Sequence, residues 1–436
     1  MNNTGTCSTS PTPRSLGFNA YEYRPWRHPA VQRPYNRRLV LDFIRQHGAA
    51  SRKDIQEKVS LSPQTVANIT NELESIGLIV SRRQKDLKTR GQPPIAFEIN
   101  PDAGQSIGIS LEPGRASGAL VNLVGQIDAR CEVRLQGCDR AQLLAGLLEL
   151  VASLRRQASA RLWGIGVALP GPLGDTELSF VGPTALEGWK DLSILDQLQE
   201  ATGLPLFHSV DSVAGALGET LYGVARHLDN FFYLHLSVGL GGSLIVGRNT
   251  YRGADGNATE IGHVPVVPGG TPCYCGNQGC LERYLSLHSL AEALGLDDGQ
   301  IRTSDLLSRL DDPNDHALQQ WCQQAAQRLR DAICMIENLL DPQTIVIGGS
   351  APQKLVQRLV ELAQPLHRSV RGRPQPELPR IMISLREEDC SLLGAAVLPI
   401  HELLSPRLEG VQRDDQGEAQ AAELLGHRTA AGGRRI

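Results

Sequence analysis

Between Val31 and Asn100 the apolar positions recur at helical spacing, whereas from Gln105 to about Leu403 short β-branched runs alternate with longer amphipathic stretches. The first pattern predicts a small helical domain over residues 31–100. The second predicts an α/β domain over 104–403. Two strand-turn-glycine units, near Gly108 and Gly239, suit a two-lobed arrangement, although no repeat of fixed period is present. Outside these stretches, residues 1–30 and 404–436 are polar and lack an apolar period, which predicts flexible tails.

Within the head, Asn36 to His47 places Leu39, Val40, Phe43 and Ile44 on one helical face, with Gly48 as a stop signal. Ser51 opens a second helix with Asp54 three residues on, a carboxylate variant of the capping box, and Ile55 and Val59 on its buried side. A third starts at Ser62, an N-cap residue, with Pro63 at the first helical position, and runs to about Ile76. Its stripe of Val66, Ile69 and Leu73 leaves Gln64, Thr65, Asn68 and Asn71 exposed, with groups able to bond base edges or phosphates.

Three short helices in this order predict a helix-turn-helix. The segment after Gly77 reads as two strands around a turn, a wing carrying Arg82, Arg83, Lys85, Lys88 and Arg90 with Asp86 among them. That charge suits a phosphate backbone, and Arg90 beside Gly91 suits a minor groove. Ser62, Gln64, Thr65, Asn68, Arg82, Arg83, Lys88 and Arg90 are therefore the candidate DNA contacts, with operator DNA as partner. Three packed helices with a solvated basic loop are the plainer alternative.

The whole chain, at 436 residues and 41% apolar, is long enough for two or three packed domains. Its formal net charge of −4 excludes a uniformly basic coat and leaves room for one basic domain. No apolar run approaches the roughly 20 residues of a membrane helix, and the N-terminus lacks a signal-peptide pattern, so a cytoplasmic protein without membrane contact is expected. In a reducing compartment, nine cysteines do not predict a disulfide framework.

Three of them fall within eight residues. His263, Cys273, Cys275 and Cys280 form the pattern H-x9-C-x-C-x4-C, four ligands that suit a closed, structural, tetrahedral Zn2+ site, and Gly276 and Gly279 let the loop turn tightly. Cys7, Cys131, Cys138 and Cys334 read as isolated thiols.

The string TEIGHVPV followed by CYCGNQGCLE closely resembles the signature of the ROK family, which groups sugar kinases with sugar-responsive repressors. Further matching pieces are GIGVALPGPL, the GW of LEGWKD, VDSVAGALGE, VGLGGSLIVGRNTYRGADG and TIVIGGS. The resemblance covers about Val31 to Leu403 and implies a two-lobed sugar-kinase-like fold, while the winged-helix head points to the repressor branch. It also implies that Asp211, Glu260, His263 and Glu282 contact a sugar, and that the chain is a homodimer or homotetramer. Val210 and Ala185 stand where family members often carry sugar-binding asparagines, so the usual hexose specificity does not transfer. Trp189 reads equally as a pocket wall or a core residue.

Family kinases carry a first phosphate loop resembling D-x-G-x-T, where this chain has Ser110-Leu111-Glu112-Pro113-Gly114. A glutamate there repels a triphosphate and Pro113 removes an amide donor, so no catalytic activity is expected. The second loop, Ser237 to Ser243, is altered as well. The expected function is a sugar-sensing transcriptional regulator. A sugar kinase with an added DNA-binding head, or a regulator controlled by a docked protein, are the alternatives.

Overall fold

The computed structural model describes residues 29–83, 95–135, 137, 139–173, 182–186, 189, 192–296, 303–312, 314–371, 378–385 and 390–405. The predicted tails, apart from their inner ends, lie outside these residues, as do Lys85, Asp86, Lys88, Arg90, Gly91, Cys7 and Cys138.

Local signals build the head. Helix α1 (Pro29–His47) begins ahead of the expected Asn36. It is followed by strand β1 (Ala50–Ser51), α2 (Arg52–Val59), α3 (Pro63–Ser75), and strands β2 (Ile79–Arg83) and β3 (Ile95–Ile99). Ser51 and Asp54 form the reciprocal capping box, and Ser62 Oγ accepts from the Thr65 amide at 3.1 Å. Val66, Ile69 and Leu73 are buried as their spacing predicts. Strands β1, β3 and β2 pair antiparallel in that order and close the winged helix.

The rest forms two lobes built on one topology. The first lobe contains β4 (Gln105–Glu112), β5 (Arg115–Asn122), β6 (Ile127–Arg134), α4 (Arg140–Gln157), β7 (Leu162–Leu169), α5 (Ser193–Thr202) and β8 (Leu206–Val210), with α6 (Asp211–Tyr222) leading out of it. The second contains β9 (Phe231–Leu236), β10 (Leu240–Val246), β11 (Asn249–Thr250), α7 (Leu287–Leu294), α8 (Thr303–Leu310), α9 (His316–Leu340), β12 (Ile345–Gly348), α10 (Gln353–Leu362) and β13 (Ile381–Ile383). Helix α11 (Cys390–Leu404) returns the chain to the first lobe, on β4 and β7.

The sheet orders are β6-β5-β4-β7-β8 and β11-β10-β9-β12-β13. In each, an antiparallel three-strand meander is extended by two parallel strands. Covered on both faces, β9 is buried at all six positions, Phe231 to Leu236, and so reads as an apolar run rather than an alternation. Helices α6 and α11 lie against each other between the lobes, where the small residues Ala168, Ala214 and Ala395 allow close approach.

The head rests on both lobes. Its core, with Val40, Ile44 and Leu73, is continuous with Leu123 and Trp163 of the first lobe and with Ile400, Leu403 and Leu404 at the end of α11. Each such buried aliphatic side chain contributes about 1.5–3 kcal/mol. Toward the second lobe the contact is polar: Asp42 of α1 lies 3.6 Å from Arg248 in the β10–β11 turn, with both side chains about nine-tenths buried.

Candidate functional site

The predicted carbohydrate contacts converge at the base of the cleft between the lobes. Asp211 opens α6, where the helix N-terminus favours a carboxylate; its Oδ1 accepts from the Ser212 amide at 2.6 Å, and its Oδ2 lies 3.6 Å from His235 Nε2. Glu282 enters on a short 3-10 turn, Leu281–Arg283, and its Oε2 accepts from the Leu240 amide at 2.9 Å, tying it to the start of β10. Glu260 precedes a second such turn, Ile261–His263. Before it, Thr259 adopts a left-handed backbone (φ +73), costly for a β-branched residue, while its hydroxyl donates to the Gly242 carbonyl at 2.9 Å.

Asp211, Glu260, His263 and Glu282 line one pocket of about 50 Å3, with walls that include Gly171, Pro183, Thr184, Val210 and Tyr274. Burial, then the neighbouring Asp211 and Glu282 carboxylates, push the Glu260 carboxyl up to about 7. Near neutral pH the group therefore exists in both forms, able to donate or accept a hydrogen bond to a hydroxyl. In this conformation the pocket holds only a few waters, less than the volume of a sugar ring. Val210 occupies the wall where the resemblance calls for an asparagine. Ala185 does not line the pocket, and Trp189 is buried in the first lobe's core.

Next to the pocket, His263, Cys273, Cys275 and Cys280 bring four ligand atoms within 4.8 Å of one another. His263 Nδ1 faces Cys273 Sγ at 3.6 Å, and Cys275 and Cys280 sulfurs are 3.6 Å apart. The loop doubles back through bridges pairing Pro265 with Cys280 and Pro272 with Gln278, with Gly276 and Gly279 at φ +88 and +77. Burial, then the adjacent Cys275 and Cys273, push the Cys280 thiol up to about 12. Thiols this crowded fit a divalent cation, which displaces the protons and binds the thiolates. His263 borders both this cluster and the pocket.

On the head, Ser62, Gln64 and Asn68 are exposed at the start of α3, Thr65 is half-buried, and Gln64 donates to Asn68 at 2.9 Å. Asn71, exposed as expected, accepts from Arg52 at 2.6 Å; that guanidinium also reaches Thr70 and lies over the Phe97 ring. Arg82 and Arg83 are exposed on the wing, Arg82 3.3 Å from Glu98.

Sequence reasoning passed over three pocket residues. His235, the one imidazole in the otherwise aromatic and aliphatic strand FFYLHL, is buried behind Asp211, and its presence there was a usable signal. Thr184 and Tyr274 carry no comparable signature.

A winged-helix head joined to a duplicated, two-lobed α/β domain defines a class that the comparisons place. The chain belongs to the ROK family, whose model matches residues 107–402, and a MarR family model matches residues 35–88. It is 27% identical over 397 residues to a putative xylose repressor of Caldicellulosiruptor sp. (strain Rt8B.4), covering 86% of this chain and 98% of that protein. A glucokinase of Halalkalibacterium halodurans is 32% identical over 251 residues, 53% of this chain and 76% of the kinase. Among solved structures, a ROK family transcriptional regulator described as a homolog of E. coli MLC matches with a TM-score of 0.65 at 25% identity, covering 90% of this chain and 98% of that one. No helix among the described residues is long and apolar enough to cross a membrane.

Proposed function

We propose that the protein is a transcriptional repressor of carbohydrate-utilisation genes that binds operator DNA through its head and a sugar through Asp211, Glu260, His263 and Glu282. The observation that carries this reading is the union, in one chain, of an exposed, capped recognition helix with a pocket of three convergent carboxylates. Relatives named xylose repressors over most of their length support it and make a pentose such as D-xylose the first effector to test. Ser62, Gln64, Thr65 and Asn68 read the major groove, and Arg82, Arg83, Lys88 and Arg90 hold the backbone. A homodimer or homotetramer presents two heads to a palindromic site. His263, Cys273, Cys275 and Cys280 hold a structural zinc ion, which fixes His263 at the edge of the pocket.

The head's seat supports a route from sugar to DNA. It grips the first lobe through apolar packing and the second through Asp42 and Arg248, so a change in lobe separation pulls on α1 from one side. Residual kinase activity has the glucokinase relative and the presence of Asp211 in its favour. Against it, β4 runs into Glu112-Pro113-Gly114 where family kinases resemble Gly-x-Thr, and Pro113 removes an amide donor. The inter-lobe cleft beside it, about 930 Å3, is lined by Arg115, Arg130 and Lys354 as well as by Glu112 and Glu132, so the altered loop and not the cleft's charge speaks against a polyphosphate.

Duplexes selected from a random library by the purified protein supply the operator, and fluorescence anisotropy with and without D-xylose, D-glucose or N-acetylglucosamine measures the response. A 5- to 150-fold change in affinity with one sugar, on the order of 1–3 kcal/mol of coupling, is expected. An operator bound equally under all of them rejects sensing of these sugars. ATP turnover dependent on sugar and abolished by Asp211→Asn would restore the kinase.

A further inference from the structure

We propose that Tyr274 is a specificity-determining residue of the pocket, an aromatic platform that closes over a sugar ring and is held in place by the metal loop; this rests on the carbohydrate reading above. Tyr274 stands between Cys273 and Cys275, so metal coordination on either side fixes its backbone. Tyr274 lines the same pocket as Asp211, Glu260 and Glu282, and it is the only residue with a phenol or phenyl ring among the described residues that does.

Pockets for polyols need two kinds of wall: acceptors for hydroxyls, and an apolar face for the C–H side of the ring. The three carboxylates supply the first. Tyr274 supplies the second.

The ring is braced away from the pocket. The Arg283 guanidinium lies over it, 5.0 Å from the centroid, and hydrogen bonds link the phenol oxygen to Arg283 and His288. Arg283 is anchored in turn by Glu292 at 2.9 Å. A ring so held pays little conformational entropy on meeting a ligand.

Tyr274 also reaches across the cleft. It packs on Gly182 of the first lobe, where an added Cβ would sit 2.9 Å from Cδ2 of the ring and the backbone is left-handed (φ +80). Only glycine fits that position comfortably. Opening the lobes for a sugar breaks this contact, and the ring then meets the ligand's C–H face instead. Tyr274 thus links occupancy of the pocket to separation of the lobes.

Isothermal titration of the zinc-loaded full-length protein with D-xylose, D-glucose and N-acetylglucosamine tests this, with zinc content measured on every variant. Tyr274→Ala should weaken binding of the preferred sugar about tenfold or more while keeping zinc, and Tyr274→Phe should stay within about threefold. Gly182→Ala, in the other lobe and remote from the zinc ligands, crowds the ring only while the lobes are closed and should therefore strengthen sugar binding; weaker binding would overturn the link between the ring and lobe separation. Undiminished sugar affinity in Tyr274→Ala overturns the proposal, and so does loss of zinc together with affinity, since the ring would then serve only the loop. Should the wild type bind none of the three sugars, the carbohydrate reading for these probes falls first and takes this one with it. Loss of binding in Glu260→Gln alone leaves the pocket standing without Tyr274.

Discussion

The two lobes share a strand order, yet their chemistry differs. Between β6 and β7 the first lobe inserts a single helix, α4, whereas between β11 and β12 the second inserts the Glu260 turn, the cysteine loop and helices α7 to α9. The first lobe accordingly supplies a wall that includes Gly171, Pro183 and Thr184, the Asp211 carboxylate where α6 leads out of it, and the apolar seat of the head. The second supplies Glu260, His263 and Glu282. A duplicated scaffold thus sets the cleft, and a local insertion on one copy sets what the cleft recognises.

The sharpest way to break this asymmetry is to disable the metal site proposed for the insertion. Cys275→Ser should release zinc and destabilise the second lobe by several kcal/mol, on the order of 4 or more, because the loop's fold depends on coordination rather than on a core of its own. Hydrogen exchange should show the loss of protection centred on residues 261–285, with the first lobe and head changed little. Zinc retained at one ion per chain would mean that the ligand set is wrong.

The pocket's charge offers a smaller effect with a definite pH signature. Glu260 releases its proton near 4.5 in the unfolded chain and near 7 in the folded one. Stability present below pH 4.5 is therefore lost as pH rises toward 7, by about 3 kcal/mol in all. Glu260→Gln cannot ionise, so in sugar-free protein its stability advantage over the wild type should grow between pH 5 and 8. Parallel denaturant titrations at the two pH values measure it, and a constant gap would show that neither burial nor the Asp211 and Glu282 carboxylates raise the Glu260 carboxyl.

How much of this was legible follows the range of the interactions. Ser51 with Asp54 and Ser62 with Pro63 are complete signals within four residues, and the helices start where they predict. The cysteine spacing is equally local, and it identified a cluster before any fold was known. The matched strand orders were only hinted at by Gly108 and Gly239, because pairing β9 with β12 joins segments separated by the whole insertion. Tyr274 was missed for the same reason: its meaning lies in Gly182, in another lobe, and in the brace from Arg283 and His288. Sequence spacing shows what a loop can bind, not what the loop is pressed against.

The smallest predicted effect on stability tests the link between the lobes and the head. Arg248 holds a left-handed backbone at φ +66 in the β10–β11 turn, and its guanidinium donates to the carbonyls of Arg226, Leu228 and Thr220. It therefore moves with the second lobe. Asp42, its partner on α1, also accepts from Gln46 at 2.8 Å and lies 3.8 Å from Arg45. Losing one partner of a buried pair commonly costs 3–5 kcal/mol, but the contacts left to Asp42 reduce that here to about 1–2 kcal/mol. The head would stay seated through Ile400, Leu403 and Leu404 on the first lobe. Arg248→Ala should therefore leave sugar-free operator affinity within a few-fold of wild type and leave sugar affinity unchanged, yet reduce the sugar's effect on operator binding, because one of the two grips that convert lobe motion into head motion is gone. An undiminished response in anisotropy would show that the apolar seat alone carries the signal, and the polar grip would then be no more than packing.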